Sequence, residues 1–225
     1  KKGGKSPNEP LLVSSYGTGA RPLLRTGDRV AIATDGGGGT PKPLSYIAFV
    51  GLHFEAKTWN GAMGNDGVGD QEGVNWLQHG EHVLFEDMVF DGYTTNIVLQ
   101  GSSPNAGDNL AHFEVRRSII TNAFSVHGAG NHSQGLYAAN IDGLLVEENN
   151  FYHNGWSETI SNAGKSTFNH NIYLQNGNTN DTVRGNTIIE GSSHGLQLRG
   201  GGMASNNLFV RNPIAMTIGG GSELA

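Results

Sequence analysis

Two similar segments carry the residues best suited to proton-transfer chemistry. HNIYLQN (170–176) and HGLQLRG (194–200) each begin with a histidine and continue as an alternating strand. The predicted catalytic residues are His170, Tyr173 and Arg199. Arginine can hold a carboxylate through two hydrogen bonds, and histidine or tyrosine can move the proton of the adjacent carbon. The pattern therefore predicts proton abstraction beside the carboxylate of an acidic sugar.

Aromatic and amide side chains close to these three indicate a carbohydrate-binding surface. The predicted substrate-binding residues are Tyr137, Gln175, His194 and Gln197. Tyrosine offers an apolar face and a hydroxyl, and side-chain amides can bond to sugar hydroxyls. The alternative is that these residues are ordinary exposed positions of β-strands, with the histidines at strand starts by chance.

A separate segment, GNDGVGDQEG (64–73), contains oxygen ligands of the type that Ca²⁺ prefers. The predicted metal ligands are Asn65, Asp66, Asp70 and Glu72. Their spacing is not that of an EF-hand loop, so an ordinary solvated turn is the alternative. Calcium is the one cofactor that the sequence suggests.

Repeated short strands must position these residues. A turn residue between two apolar strands recurs at Asp87, Ser118, Asn149, Asn186 and Asn207, separated by 31, 31, 37 and 21 residues. A coil of about 21 residues is too short for a βαβ unit but fits three short strands and three turns of a solenoid. Stacked asparagines can donate to and accept from neighbouring coils, which predicts an axial ladder.

Alternation within the strands predicts which side chains face the core. The predicted buried residues are Ile172, Leu174, Leu196, Leu198, Met216 and Ile218. The predicted outward residues are Asn171, Tyr173, Gln175 and Arg199, with Tyr137, Tyr173, Gln197 and Thr217 stacked from coil to coil. The longest insertions adjoin this strand, which predicts that its sheet is the floor of a groove with loops as walls. Trp59, Trp76 and Trp156 fall in predicted loops.

The composition excludes several classes of protein. Glycine accounts for 35 of 225 residues and charged residues for only 15%, which favours many turns over helical bundles. The net charge is −6 with 14 Lys and Arg, so a nucleic-acid partner is not expected. Cysteine is absent, and no apolar run approaches the ~20 residues of a membrane span. We predict one all-β domain over residues 1–225: a right-handed parallel β-helix of six to seven coils with three short parallel sheets.

Three segments resemble a known superfamily: SSYGTGARPLL (14–24), FNHNIYLQN (168–176) and SHGLQLRGG (193–201). They are similar to the pectate-lyase-like superfamily of secreted right-handed β-helix proteins, over roughly residues 11–220. The resemblance implies a secreted or extracellular protein and a polysaccharide partner. In such proteins the YGTGARP stretch follows an N-terminal part that includes a cap, so the chain is expected to be a fragment without that cap.

The superfamily includes lyases, hydrolases, epimerases and tailspikes, so the resemblance alone does not give an activity. The Asn-Thr-Asp, Asp-Asp and Gly-His-Gly motifs of its glycosidases are missing, as is the Asp-Pro-His-Asp of its epimerases. The expectation is therefore a polysaccharide lyase that acts on acidic, uronate-containing glycans by β-elimination. A non-catalytic carbohydrate-binding or adhesin-like solenoid is the alternative.

Overall fold

The described part of the chain winds through seven coils, and every coil contributes short strands to three sheets. The computed structural model describes residues 3–34, 43–64, 71–77, 79–102, 110–127 and 132–220. Coils one to four contain β1 (Leu11–Ser14), β2 (Leu23–Arg25), β3 (Ile32–Ala33); β4 (Ile47–Val50), β5 (His53–Glu55), β6 (Glu72–Trp76); β7 (Gly80–Glu86), β8 (Val89–Asp91), β9 (Thr95–Gln100); and β10 (Leu110–Arg116), β11 (Ile119–Thr121), β12 (Gln134–Ala139). Coils five to seven contain β13 (Ile141–Asp142), β14 (Leu145–Glu147), β15 (Asn150–Tyr152), β16 (His170–Leu174); β17 (Thr182–Arg184), β18 (Thr187–Ile189), β19 (His194–Leu198); and β20 (Met203–Ser205), β21 (Leu208–Val210), β22 (Ile214–Ile218).

Stacking of the coils produces three parallel sheets. Sheet A has the order β1-β4-β7-β10-β14-β17-β20, with β13 also paired to β10. Sheet B has the order β2-β5-β8-β11-β15-β18-β21, and sheet C has the order β3-β6-β9-β12-β16-β19-β22. Each strand pairs with its counterparts in the coils before and after it. The predicted right-handed parallel β-helix is confirmed, with seven coils in the described part of the chain.

An asparagine ladder joins the coils at the corner between sheets A and B. The Asn149 side chain donates to Asn186 Oδ1 at 3.0 Å, and the Asn186 side chain donates to Asn207 Oδ1 at 2.9 Å. Each amide nitrogen also donates to a backbone carbonyl, Asn186 to that of Val146 at 2.9 Å. These bonds satisfy buried turn backbone that has no partner in a sheet. The predicted axial line of three asparagines is confirmed.

The prediction that Asp87 begins this ladder is wrong by one residue. Met88 occupies the ladder position in the third coil, and its backbone N–H donates to Ser118 Oγ at 3.0 Å. Asp87 belongs to the preceding position, where the backbone turns with φ +52° and where Arg117 has φ +46°. A residue with positive φ is needed where the chain turns the corner. The apolar residues around Asp87 repeat so regularly that the sequence alone does not show the one-residue shift.

A second amide chain, which the sequence did not predict, lies between sheets B and C. Asn96 donates to Asn154 at 3.0 Å, Asn154 to Asn171 at 2.8 Å and Asn171 to Asn212 at 3.0 Å. This second amide chain runs past coils that have glycine at the register position of these asparagines. A Cβ on Gly135 would lie 2.9 Å from Asn154 Nδ2, so the glycine makes room for the amide. Asn171, predicted to face outward, is therefore fully buried in this chain.

The core is a column of aliphatic and aromatic side chains between the three sheets. Ile172, Leu174, Leu196 and Leu198 are buried as predicted. Met216 and Ile218 were predicted to be buried, but they are 38% and 66% exposed. They face the same interior direction as the others, but β22 is the last described strand of sheet C, so no further coil covers them.

The three tryptophans have different environments. Trp76 lies in β6 and is fully buried against Phe85 and Phe113, so its predicted position in a loop is wrong. Trp59 is exposed in a turn and Trp156 lies in the loop after β15, as predicted. No helix in the described ranges is long and apolar enough to cross a membrane.

Candidate functional site

An axial row of outward side chains runs across sheet C. The register pairs Tyr137 with Tyr173, Tyr173 with Gln197, and Gln197 with Thr217. This is the stack predicted from the sequence. In earlier coils the row continues through Val98 and Asn75. The row therefore crosses six coils and combines aromatic rings with amides and hydroxyls.

The Arg199 guanidinium lies at the edge of this row and contacts three neutral acceptors. Nη1 donates to Tyr173 Oη at 2.8 Å and to Gln175 Oε1 at 3.1 Å, and Nη2 donates to the Gly220 carbonyl at 2.6 Å. Arg199 follows β19 directly, and its backbone N–H donates to the Leu174 carbonyl at 2.9 Å, which brings its side chain beside Gln175. Sequence alternation alone could predict this neighbourhood, although not the bond to Tyr173.

The electrostatic setting of Arg199 differs from that of the other arginines. The chain has eight arginines, and seven of them contact a carboxylate within ion-pair distance. Arg199 contacts no carboxylate among the described residues, and its Nε is buried without a hydrogen-bond partner in that same part of the chain. A half-buried cation without a counter-ion favours an anionic ligand.

A cleft of about 320 Å³ lies over sheet C beside this cation. Its lining residues come from β6, β9, β12 and β16 and the segments next to them: Glu72, Thr94, Thr95, Val98, Gln100, His132, Gln134, Tyr137, Tyr173 and Gln175. Of the predicted binding residues, Tyr137 and Gln175 line this cleft, and Gln197 is the next member of the axial row. Gln100 and Gln134 were not among the predicted site residues, although the register of the repeats identifies both positions.

Tyr137 and Tyr173 pack edge to face, with ring centroids 5.6 Å apart. Burial, and then the neighbouring Tyr173, raises the pKa of Tyr137 above its ordinary value. A hydrogen bond with Gln175 and the charge of Arg199 oppose this rise. Tyr137 therefore keeps its proton at neutral pH, next to a second tyrosine that is bonded to a cation.

His170 and His194 are brought together, with His170 buried below the surface and His194 partly exposed. Both lie at strand starts in equivalent register, and their Nδ1 atoms are 3.2 Å apart. Ser193 Oγ is 2.9 Å from His170 Nδ1 and 3.0 Å from His194 Nδ1. His170 is only 3% exposed, and burial followed by the nearby His194 lowers its pKa to about 3. Burial also lowers the pKa of His194.

The structure therefore places His170 as a neutral side chain behind Tyr173. The two rings pack edge to face with centroids 5.0 Å apart. The three predicted catalytic residues are close together, since Tyr173 contacts both of the others. Only Tyr173 and Arg199 are partly exposed at the cleft.

The predicted calcium site falls mostly outside the described residues, because Asn65, Asp66 and Asp70 are not among them. Glu72 is described and lies in β6, where the Asn75 amide donates to its carboxylate at 3.4 Å. Within the described ranges, no group of three or more His, Asp or Glu side chains is arranged to hold a metal ion. Glu72 instead lines the sheet C cleft.

A second cleft, of about 290 Å³, lies beside sheet B and the loop after β15. Trp156 lines it, but one ring face is near His153, with centroids 4.3 Å apart, and Lys165 Nζ lies 4.1 Å from the ring centroid. Its Nε1 donates to the Glu190 carbonyl at 3.0 Å. Trp156 therefore anchors the loop and does not offer a free stacking surface.

Comparison with known proteins does not identify a family or a function for the chain. No family model, curated protein or solved structure matches the chain. The resemblance to the pectate-lyase-like superfamily therefore depends on its sequence motifs alone, and the function has to be argued from the sheet C cleft.

Proposed function

We propose that the sheet C cleft binds an acidic, uronate-containing polysaccharide and that Tyr173 and Arg199 cleave it by β-elimination. The observation that carries this proposal is Arg199, a half-buried cation with only neutral acceptors around it in the described structure. A uronate carboxylate would supply the missing negative charge and can accept a charge-assisted hydrogen bond from the Nη2 N–H that these three contacts leave over.

The rest of the axial row suits a sugar chain. A pyranose ring can pack on the apolar faces of Tyr137 and Tyr173, while the Gln175 and Gln197 amides bond to its hydroxyls. The strands of sheet C are about 4.8 Å apart, close to the length of one sugar unit, so successive units would meet equivalent positions on successive coils. The row thus supports an extended glycan that lies along the solenoid axis.

The proposed reaction breaks two bonds of the substrate. Tyr173 Oη, which accepts a hydrogen bond from Arg199, is the base that removes the proton from C5, the carbon beside the carboxylate, and Arg199 stabilises the negative charge that develops on the carboxylate. The C5 electron pair forms the C4–C5 double bond, and the bond from C4 to the glycosidic oxygen breaks. Tyr137, whose raised pKa keeps it protonated, donates a proton to that oxygen. His170 is a positioning residue that supports the Tyr173 ring.

The test is incubation with a panel of uronate polysaccharides, with product detected by the ultraviolet absorbance of the conjugated double bond. Arg199→Ala should weaken uronate binding by about 1.5–3 kcal/mol, the cost of losing a charged hydrogen bond. Arg184→Ala is the matched control, because it removes an arginine from sheet A, where Arg184 is bonded to Glu147. Equal binding by wild type and Arg199→Ala would overturn the proposal.

Cleavage is tested separately with Tyr173→Phe. This variant should bind within a few-fold of wild type but form no unsaturated product. The burial of His170 favours one alternative, a solenoid that binds acidic glycans without cleaving them. Arg199-dependent binding without product in the wild type would support that alternative. Because such polysaccharides are extracellular, either function implies a secreted protein.

A further inference from the structure

The charges around the sheet C cleft lie at separate places along its axial row. The Glu72 carboxylate is 3.4 Å from Asn75 Nδ2, and Asn75 is the β6 member of that row. The Arg199 guanidinium is 2.8 Å from Tyr173 Oη, the β16 member. From β6 to β16 there are three inter-strand steps, which makes the separation along the axis about 14 Å.

Between these two charges the row is neutral. Its members in β9 and β12 are Val98 and Tyr137, and the neighbouring lining residues are Thr95, Gln100, Gln134 and Gln175. The sequence segments next to these strands, 65–70, 103–109 and 128–131, contain no Lys or Arg. In the described structure Lys57 is paired with Glu55 and Lys165 lies over Trp156, both away from this cleft.

This distribution is a poor match for a homopolymer of uronates. Such a chain has a carboxylate on every sugar, and only one of them would meet Arg199. The others would be partly desolvated against neutral side chains, and one would approach the Glu72 carboxylate, where like charges repel. A chain with a uronate at Arg199 and a neutral sugar three units away avoids the repulsion from Glu72. If its sugars alternate, it places one carboxylate against the neutral part of the row, where a polyuronate places two.

We propose, building on the function proposed above, that the substrate is a heteroglycan in which uronates are separated by neutral sugars, and that Glu72 discriminates against polyuronates. An alternating polymer meets the condition, because units an odd number apart differ in type. Glu72 is the specificity-determining residue: its carboxylate accepts hydrogen bonds from the hydroxyls of a neutral sugar and repels a carboxylate.

The test compares two hexasaccharides by calorimetry, one of alternating glucuronate and N-acetylhexosamine and one of galacturonate only. Wild type should bind the alternating ligand more tightly, and its affinity should fall only weakly with salt, as expected from the screening of one ionic contact. Glu72→Gln should raise affinity for the homopolymer about two- to five-fold, the range for a single exposed charge pair. It should lower affinity for the alternating ligand, because a neutral amide accepts a weaker hydrogen bond from the sugar hydroxyl than the carboxylate does.

Glu114→Gln is the matched control, because it removes a carboxylate from sheet A, where Glu114 is bonded to Arg116, and it should change neither affinity. Tighter binding of the galacturonate ligand by wild type, or a steep fall of affinity with salt, would overturn the inference while leaving the acidic-glycan function standing. If neither ligand binds, or if Arg199→Ala binds both as wild type does, the proposed function fails as well.

Discussion

Replacement of Asn186 by alanine removes the centre of the asparagine ladder, and the structure specifies what is lost. The Asn149 backbone N–H, which donates to Asn186 Oδ1 at 2.9 Å, loses its acceptor, whereas the Val146 carbonyl loses the Asn186 side-chain donor but stays in the ladder between β14 and β17. The Asn149 side chain still donates to the Val115 carbonyl, and Asn207 Oδ1 still accepts from the Asn186 backbone. One buried backbone donor without an acceptor gives a loss of about 1–3 kcal/mol.

The loss is measured by urea denaturation followed by circular dichroism, with the dependence on urea concentration required to match the wild type. A water molecule that enters the space left by the side chain would bring the loss to the lower end of the range. Asn150→Ala is the control, because Asn150 is the exposed neighbour of Asn149 in the same corner, and it should stay within about 0.5 kcal/mol of wild type. A loss for Asn186→Ala no larger than that of Asn150→Ala would refute the role of the ladder.

Three further predictions concern the interior. Gly135→Ala should lower the free energy of unfolding by about 1–3 kcal/mol, because the added Cβ would lie 2.5 Å from the Asn171 carbonyl oxygen. The change is measured by thermal denaturation, and an unchanged melting temperature would contradict the packing described for the second amide chain. The buried His170 has its pKa lowered from 6.5 to about 3, so between these values the unfolded chain binds a proton that the folded chain does not. The contribution of His170 to stability should therefore rise with pH by up to about 1.4 kcal/mol per unit across that window, and the difference in stability between wild type and His170→Gln should change with pH by that amount. Burial raises the pKa of Asp181 from 3.8 to about 7, so the folded chain holds the extra proton, and the contribution of Asp181 falls as pH rises through this range, opposite in sign to that of His170. Asp181→Asn should remove that fall, and curves for variant and wild type that stay parallel across the window would show that Asp181 does not titrate as described.

The coil repeat was predictable because each coil of a solenoid contacts only its neighbours. The same local pattern recurs wherever the same contacts recur, so asparagines at 149, 186 and 207 and alternating strands at 172–174 and 196–198 indicated the ladder and the buried face directly. The slip at Asp87 shows the limit of this reasoning. A corner contains one residue with positive φ and then the ladder residue, and the spacing alone does not tell which of the two is Asp87.

Sequence alternation also determined most of the candidate site. The period of two in a strand put Tyr173, Gln197 and Thr217 on one face, and the parallel register then stacked them beside Tyr137. The prediction from alternation failed at the start of the strand, where the chain leaves the corner. Asn171 turns inward to the second amide chain there, because glycines in the adjacent coils leave space for it.

Only the tertiary structure decided the electrostatics of the site. In the described structure seven arginines have a carboxylate near them and Arg199 has none. This difference depends on which coils carry Asp or Glu at each register position. That His170 is buried behind Tyr173 depends on the Ser193 corner packing over it. The position of Glu72 at the opposite part of the cleft from Arg199 depends on three intervening strands. Alternation determines the direction of a side chain, but its partners come from other coils, separated from it in sequence by insertions of variable length.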